Sequence, residues 1–161
     1  MSLARGFTLI EILVVVLVLG IATVVASANL FQTGEEKLQQ ESEKLLAVLQ
    51  LARDEAAFGG RVIAVTLNGN ELQFLERDFA DPSKWNASKL DALKPRPMSE
   101  TFKVGLRVGN GGINEKDNYV TFLPIGVASP FEFELLGPPG IASRKISGDA
   151  IGNMTLVKAQ G

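Results

Sequence analysis

The chain has 161 residues and a formal net charge of −2, with no cysteine and no histidine. Those absences exclude disulfides, thiol nucleophiles, Cys/His zinc sites and Ser-His-Asp triads. The slightly acidic balance disfavours nucleic acid or an anionic membrane surface as the main partner, and the length suits one ordinary domain once an apolar N-terminal run is set aside.

That run organises the chain. Residues 5–28 read RGFTLIEILVVVLVLGIATVVASA. After Gly6 the side chains are apolar as far as Ala28, except Thr8, Thr23, Ser27 and the carboxylate Glu11. A helix of roughly 20 such residues matches a bilayer core. An ionisable group there costs on the order of 2.5–3.5 kcal/mol at the helix centre and less near an end, where Glu11 lies. Its only nearby cation is Arg5. A secretory signal peptide is one reading, with Ala26-Ser27-Ala28 as an A-x-A site. The carboxylate inside the apolar region and the single charge of the leader weigh against it. A plain anchor in which Glu11 has no role leaves the Gly-Phe-x-x-x-Glu spacing unexplained.

Asn29 to Gly34 is a polar break. In the following segment, EEKLQQESEKLLAVLQLARDEAAF, Leu38, Leu45, Leu49, Ala52 and Ala56 recur at helical spacing, and Leu46 and Val48 widen the stripe. This predicts an amphipathic helix whose stripe packs on a core. Glu35 and Glu36 suit the positive end of its dipole, and Gly59-Gly60 suits its stop. A helix nearly continuous from Phe7 to Phe58 would span roughly 75–80 Å.

Beyond it, residues 61–67 and 71–77 read as strands joined by the Asn68-Gly69-Asn70 turn, a hairpin signal. From Asp78 to Glu100 the pattern is lost, which predicts a long irregular connection pinned by Trp85 and Leu90, with a short helix. Such loops are uncommon in compact domains. This one is the candidate partner-contact surface; the alternative is an unspecific loop with Trp85 covering an apolar edge. Further strands are expected at 102–108, 119–123, 131–135, 141–146 and 154–157, separated by Gly/Pro turns. The fold class is therefore α+β: a long N-terminal helix, with a transmembrane half and an amphipathic half, packed on an antiparallel β-sheet domain.

Other chemistry is weak. Gly109-Asn110-Gly111-Gly112 lacks the GxxxxGK[ST] pattern and reads as a turn. Glu115, Asp117 and Asn118 do not match a calcium loop. Asn86-Ala87-Ser88 and Asn153-Met154-Thr155 match a glycosylation acceptor, a frequent chance match. Asp54 and Glu55, beside Arg53, point in different directions on a helix. No catalytic residue, metal ligand, cofactor or small-molecule substrate is expected.

Arg5-Gly6-Phe7-Thr8-Leu9-Ile10-Glu11 resembles the class III signal of type IV pilins and pseudopilins. The segments VTFLPIGVASPFEFEL and ISGDAIGNMTLV resemble the β-domain of the H-type minor pseudopilins of type II secretion and their FimT-like pilin relatives (the GspH/FimT-like prepilin family). The resemblance implies a pilin-like fold, a leader at 1–6 cut between Gly6 and Phe7 by prepilin peptidase, and N-methylation of Phe7. It implies that Glu11 is an assembly residue receiving the charged N-terminus of a neighbouring subunit. The implied layout is a membrane and assembly helix at 7–28, an amphipathic helix at 29–60 and a periplasmic β-rich domain at 61–161. The chain would sit in the bacterial inner membrane as a single-pass protein. Its partners would be the major and minor pseudopilins of a tip complex, with no nucleic acid among them. The alternative is a FimT-like minor pilin that binds DNA for uptake through Arg144, Lys145 and Lys158; Asp149 and the negative net charge weigh against it.

Overall fold

The computed structural model describes residues 9–30, 33–109 and 118–158. The chain divides into two compact units, Met1–Thr33 and Gly34–Gly161. In the first, helix α1 runs Leu9–Leu30. Its large apolar side chains from Leu9 to Ile21 stand open, from 46 % exposed at Val15 to 84 % at Leu9. No helix among the described residues is long and apolar enough to cross a membrane. Thr33 is not helical.

The second unit opens with helix α2, Gly34–Gly59. Leu38, Leu45, Val48, Leu49, Ala52 and Ala56 are buried, which is the expected stripe. Ser42 is buried in the same stripe and satisfies its hydroxyl by donating to the Leu38 carbonyl at 2.7 Å. The helix stops as its glycines predict. Gly60 takes φ +63, and the Arg61 N–H reaches back to the Ala56 carbonyl at 3.1 Å, the six-to-one bond of a Schellman close.

Among the described residues nine strands follow: β1 Ile63–Asn68, β2 Glu71–Arg77, β3 Trp85–Ala87, β4 Arg96–Pro97, β5 Lys103–Val108, β6 Tyr119–Phe122, β7 Phe131–Leu136, β8 Arg144–Gly148 and β9 Met154–Lys158. They form two antiparallel sheets. Sheet A has the order β3-β2-β1-β6, with β4 also on β2; sheet B has the order β5-β7-β8-β9. Helix α2 packs on β1 and β6 of one sheet and on β8 and β9 of the other. The β1–β2 hairpin pairs Asn68 with Glu71, and Gly69 turns it with φ +61. Strand β7 alternates as expected: Phe131, Phe133 and Leu135 are buried, while Glu132 and Glu134 face out. Edge-to-face contacts link Phe122 to Phe131 at 6.1 Å and Phe131 to Phe133 at 5.8 Å.

Two expectations need correction. The connection from Asp78 to Glu100 is not irregular throughout. It holds β3, a 3-10 turn at Asp91–Leu93 and β4. Asp78 folds it back: its carboxylate accepts the N–H of Ala80 at 2.8 Å and Asp81 at 3.0 Å and the Asn86 amide at 2.9 Å. Asn70 holds the far end through the carbonyls of Met98 and Ser99. Strands of two or three residues are too short for alternation to show.

The second correction is the strand expected at 141–146, which lies at Arg144–Gly148. Ile141 instead closes the turn after Pro138, its N–H bonding that residue's carbonyl at 3.1 Å. The Ile141 side chain fills the space beside Gly34, where a Cβ would meet its Cδ1. Gly34 is thus a close-approach position, not only a break. Gly148, expected as punctuation, ends β8 opposite Phe131. The Phe131 ring occupies the place a Cβ on Gly148 would take.

Gly148→Ala should therefore overpack the core and lower the unfolding free energy by about 1–3 kcal/mol. Urea denaturation followed by Trp85 emission checks this; an unchanged midpoint would contradict the packing.

Candidate assembly site

Helix α1 is apolar on every side, so it has no face to bury in its own unit. Glu11 lies in its first turn, and Thr23 satisfies its hydroxyl on the Leu19 carbonyl at 2.6 Å. Gly6 and Phe7, the expected cleavage and methylation residues, lie outside the described residues, as does Arg5. Glu115 and Asp117 lie outside them too. What α1 offers chemically is an all-round apolar surface with one carboxylate near its start. That arrangement suits a bundle in which an opposite charge arrives from another chain.

The cations that a DNA-binding reading needs are occupied. Arg144 is only 7 % exposed. Its guanidinium donates to the Gln39 side chain at 2.7 Å and the Ala142 carbonyl at 3.3 Å, and lies 3.6 Å from Glu35. Lys158 also bonds Glu35, and Lys145 lies 3.0 Å from Glu132. All three charges are turned on carboxylates of the same unit, which leaves little to neutralise phosphates. Sequence spacing could not reveal this, since Gln39 and Glu35 belong to the start of α2. Asp149 is a turn former: its carboxylate accepts the N–H of Ile151 at 3.0 Å and Asn153 at 2.9 Å.

Trp85 and Leu90 do not share one surface. Leu90 packs against the core. Trp85 meets Tyr119 at 5.4 Å between ring centroids, and the Arg77 guanidinium lies 5.2 Å from the Trp85 centroid. No short motif singles out Arg77 or Tyr119. The available signal was alternation: Val120 and Phe122 face the core, so Tyr119 must face the other way.

A helix packed on two antiparallel sheets defines a pilin-like fold. Comparison with known proteins agrees. A family model described as type II transport protein GspH matches residues 41–152, and a prokaryotic N-terminal methylation motif matches residues 1–27. The chain is 30 % identical over 156 residues to the Type II secretion system protein H of Pseudomonas aeruginosa, covering 88 % of this chain and 90 % of that protein. It is 31 % identical over 89 residues to the protein of the same name from Aeromonas hydrophila, covering 55 % of this chain and 48 % of that one. In fold it resembles the minor pseudopilin EpsH of Vibrio cholerae, with a TM-score of 0.65 at 16 % identity over 80 % of this chain and 99 % of that one. The solution structure of E. coli GspH gives 0.57 at 16 % identity over 75 % and 87 %. The chain belongs to the GspH family of type II secretion minor pseudopilins. These are structural subunits and not enzymes, and the FimT-like alternative is not favoured.

The Glu35 cluster makes a pH prediction. Hydrogen bonding and charge from Lys158, then from Arg144, hold the Glu35 carboxyl below its ordinary value. A depressed carboxylate contributes stability that is complete above its unfolded pKa and is lost as pH falls through the folded one. Urea midpoints of the parent and Glu35→Gln should therefore differ most at neutral pH and converge below the ordinary carboxylate range. The gap should also narrow with salt, because Glu35 is exposed. A gap independent of pH would contradict the cluster.

Proposed function

We propose that the chain is made as a prepilin, cut between Gly6 and Phe7 by prepilin peptidase and methylated on the new amine of Phe7. The helix over 7–28 then holds it in the bacterial inner membrane, with the domain that follows in the periplasm. It leaves the bilayer by joining other major and minor pseudopilins in a tip complex, which helps export folded proteins. The match of residues 1–27 to the N-terminal methylation motif supports the first step.

The observation that carries the assembly step is Glu11 in the first turn of a helix whose described apolar side chains all stand open. Moving such a helix from lipid into a bundle exchanges one apolar surrounding for another, so burial alone supplies little drive. A carboxylate that meets the ammonium of a neighbouring subunit supplies register. Removing one partner of a buried pair is costly, roughly 3–5 kcal/mol. The connection holding Trp85 and Leu90 is the second proposed contact: Leu90 anchors it and Trp85 faces the partner.

Two measurements test the reading. The N-terminal peptide of the protein from its native membrane should have the mass of a start at methylated Phe7; an intact leader, or a start at Asn29, overturns the processing. Glu11→Leu should reduce co-purification with the other pseudopilins at least roughly tenfold while leaving the domain folded. Undiminished co-purification would remove the role given to Glu11.

A further inference from the structure

The outer face of sheet A is unlike an ordinary solvated face. Ile63 and Val65 on β1, Leu72 and Phe74 on β2, and Val120 and Phe122 on β6 belong to the core. Their neighbours in the alternation point away from it. On that side the only tryptophan and the only tyrosine of the chain come together, Trp85 from β3 and Tyr119 from β6. Ala64, on the same side of β1, is fully buried although it lies outside the core cluster. Arg77 is paired in register with Trp85 and lies over its ring.

Arg77 also borders a groove of about 530 Å³ shared with Arg61, Phe79, Pro82 and Lys89. Phe79 is wholly exposed. The two acids of the groove are turned inward. Glu76 accepts from Ser88, from the Lys89 N–H at 3.3 Å and from Arg61 at 3.4 Å. Asp78 is taken up by the backbone N–H groups of Asp81 and Ala80, then by Asn86, which hold its carboxyl below the ordinary range. Among the described residues, Arg77 and Lys89 have no carboxylate partner. The surface therefore presents two cations without a described carboxylate partner beside the exposed ring of Phe79 and the half-buried rings of Trp85 and Tyr119. Tryptophan, tyrosine and arginine are the residue types that dominate binding hot spots.

We propose that this face, centred on Trp85, Tyr119 and Arg77 and continuing into the groove at Phe79 and Lys89, binds an extended acidic and apolar segment of a partner protein. Carboxylates of the segment meet Arg77 and Lys89, and its apolar side chains lie on Phe79 and Trp85. Two cations suit a few carboxylates and are too few to hold a polyphosphate strand. The proposal deepens the contact role given to Trp85 above and rests on it.

Because Trp85 is the sole indole, its emission in the full-length protein in detergent reports on the surface directly. The probe is a random copolymer of glutamate and leucine, with a lysine–leucine copolymer and an oligothymidylate as comparisons. The acidic copolymer should shift Trp85 emission saturably. Its dissociation constant should rise roughly fivefold or more in Lys89→Glu, where an exposed attraction becomes a repulsion. Four results would overturn the proposal: no saturable shift, an equal response to the lysine copolymer, tighter binding of the oligothymidylate, or an unchanged constant in Lys89→Glu. The measurement needs neither cleavage after Gly6 nor Glu11, so its failure and that of the assembly reading can be told apart.

Discussion

The domain depends on one helix face serving two sheets. Leu38, Leu45, Val48, Leu49, Ala52 and Ala56 lie along a single side of α2, and that side meets β1 and β6 of one sheet and β8 and β9 of the other. Each sheet alone would leave an apolar face open to water. Fully burying a leucine-sized side chain stabilises by about 1.5–3 kcal/mol, so this stripe is what makes the two sheets one body. The phenylalanines at 122, 131 and 133 continue it with edge-to-face contacts.

The two helices follow opposite logic. Helix α2 divides into an apolar and a polar side and completes its packing within its own unit. Helix α1 is apolar all round, and its described side chains stand open. Its burial must come from outside its unit, which is what a subunit of a pseudopilus requires. In the assembly proposed above, Glu11 is the charged group on that apolar surface that would fix position.

Polar groups at the start of α2 lock the fold further. Glu35 ties Lys158 and Arg144 to the first turn, and Gln39 takes the Arg144 guanidinium. Ile141 sits against Gly34 at the same place. The same cations are what a nucleic-acid partner would need, so one set of contacts both clasps the helix to sheet B and weakens the alternative reading of the family.

Much of this was legible in the residues. The three-and-four spacing from Leu38 to Ala56 identified α2 and its buried side, Asn68-Gly69 identified the first hairpin, and the alternation in FEFEL identified β7 and its inward rings. The apolar run with Glu11 near its start, together with the Gly6-Phe7 pair, carried the family resemblance. These are local patterns, written within a turn or a strand. The tertiary structure alone decided what distant residues do to each other. Arg144 finds Gln39 across 105 positions and Lys158 finds Glu35 across 123. Trp85 crosses a sheet face to Tyr119, Leu90 turns inward, and Phe131 takes the space that Gly148 leaves. No short-range period encodes such meetings, because they depend on which strands become neighbours once the core has closed.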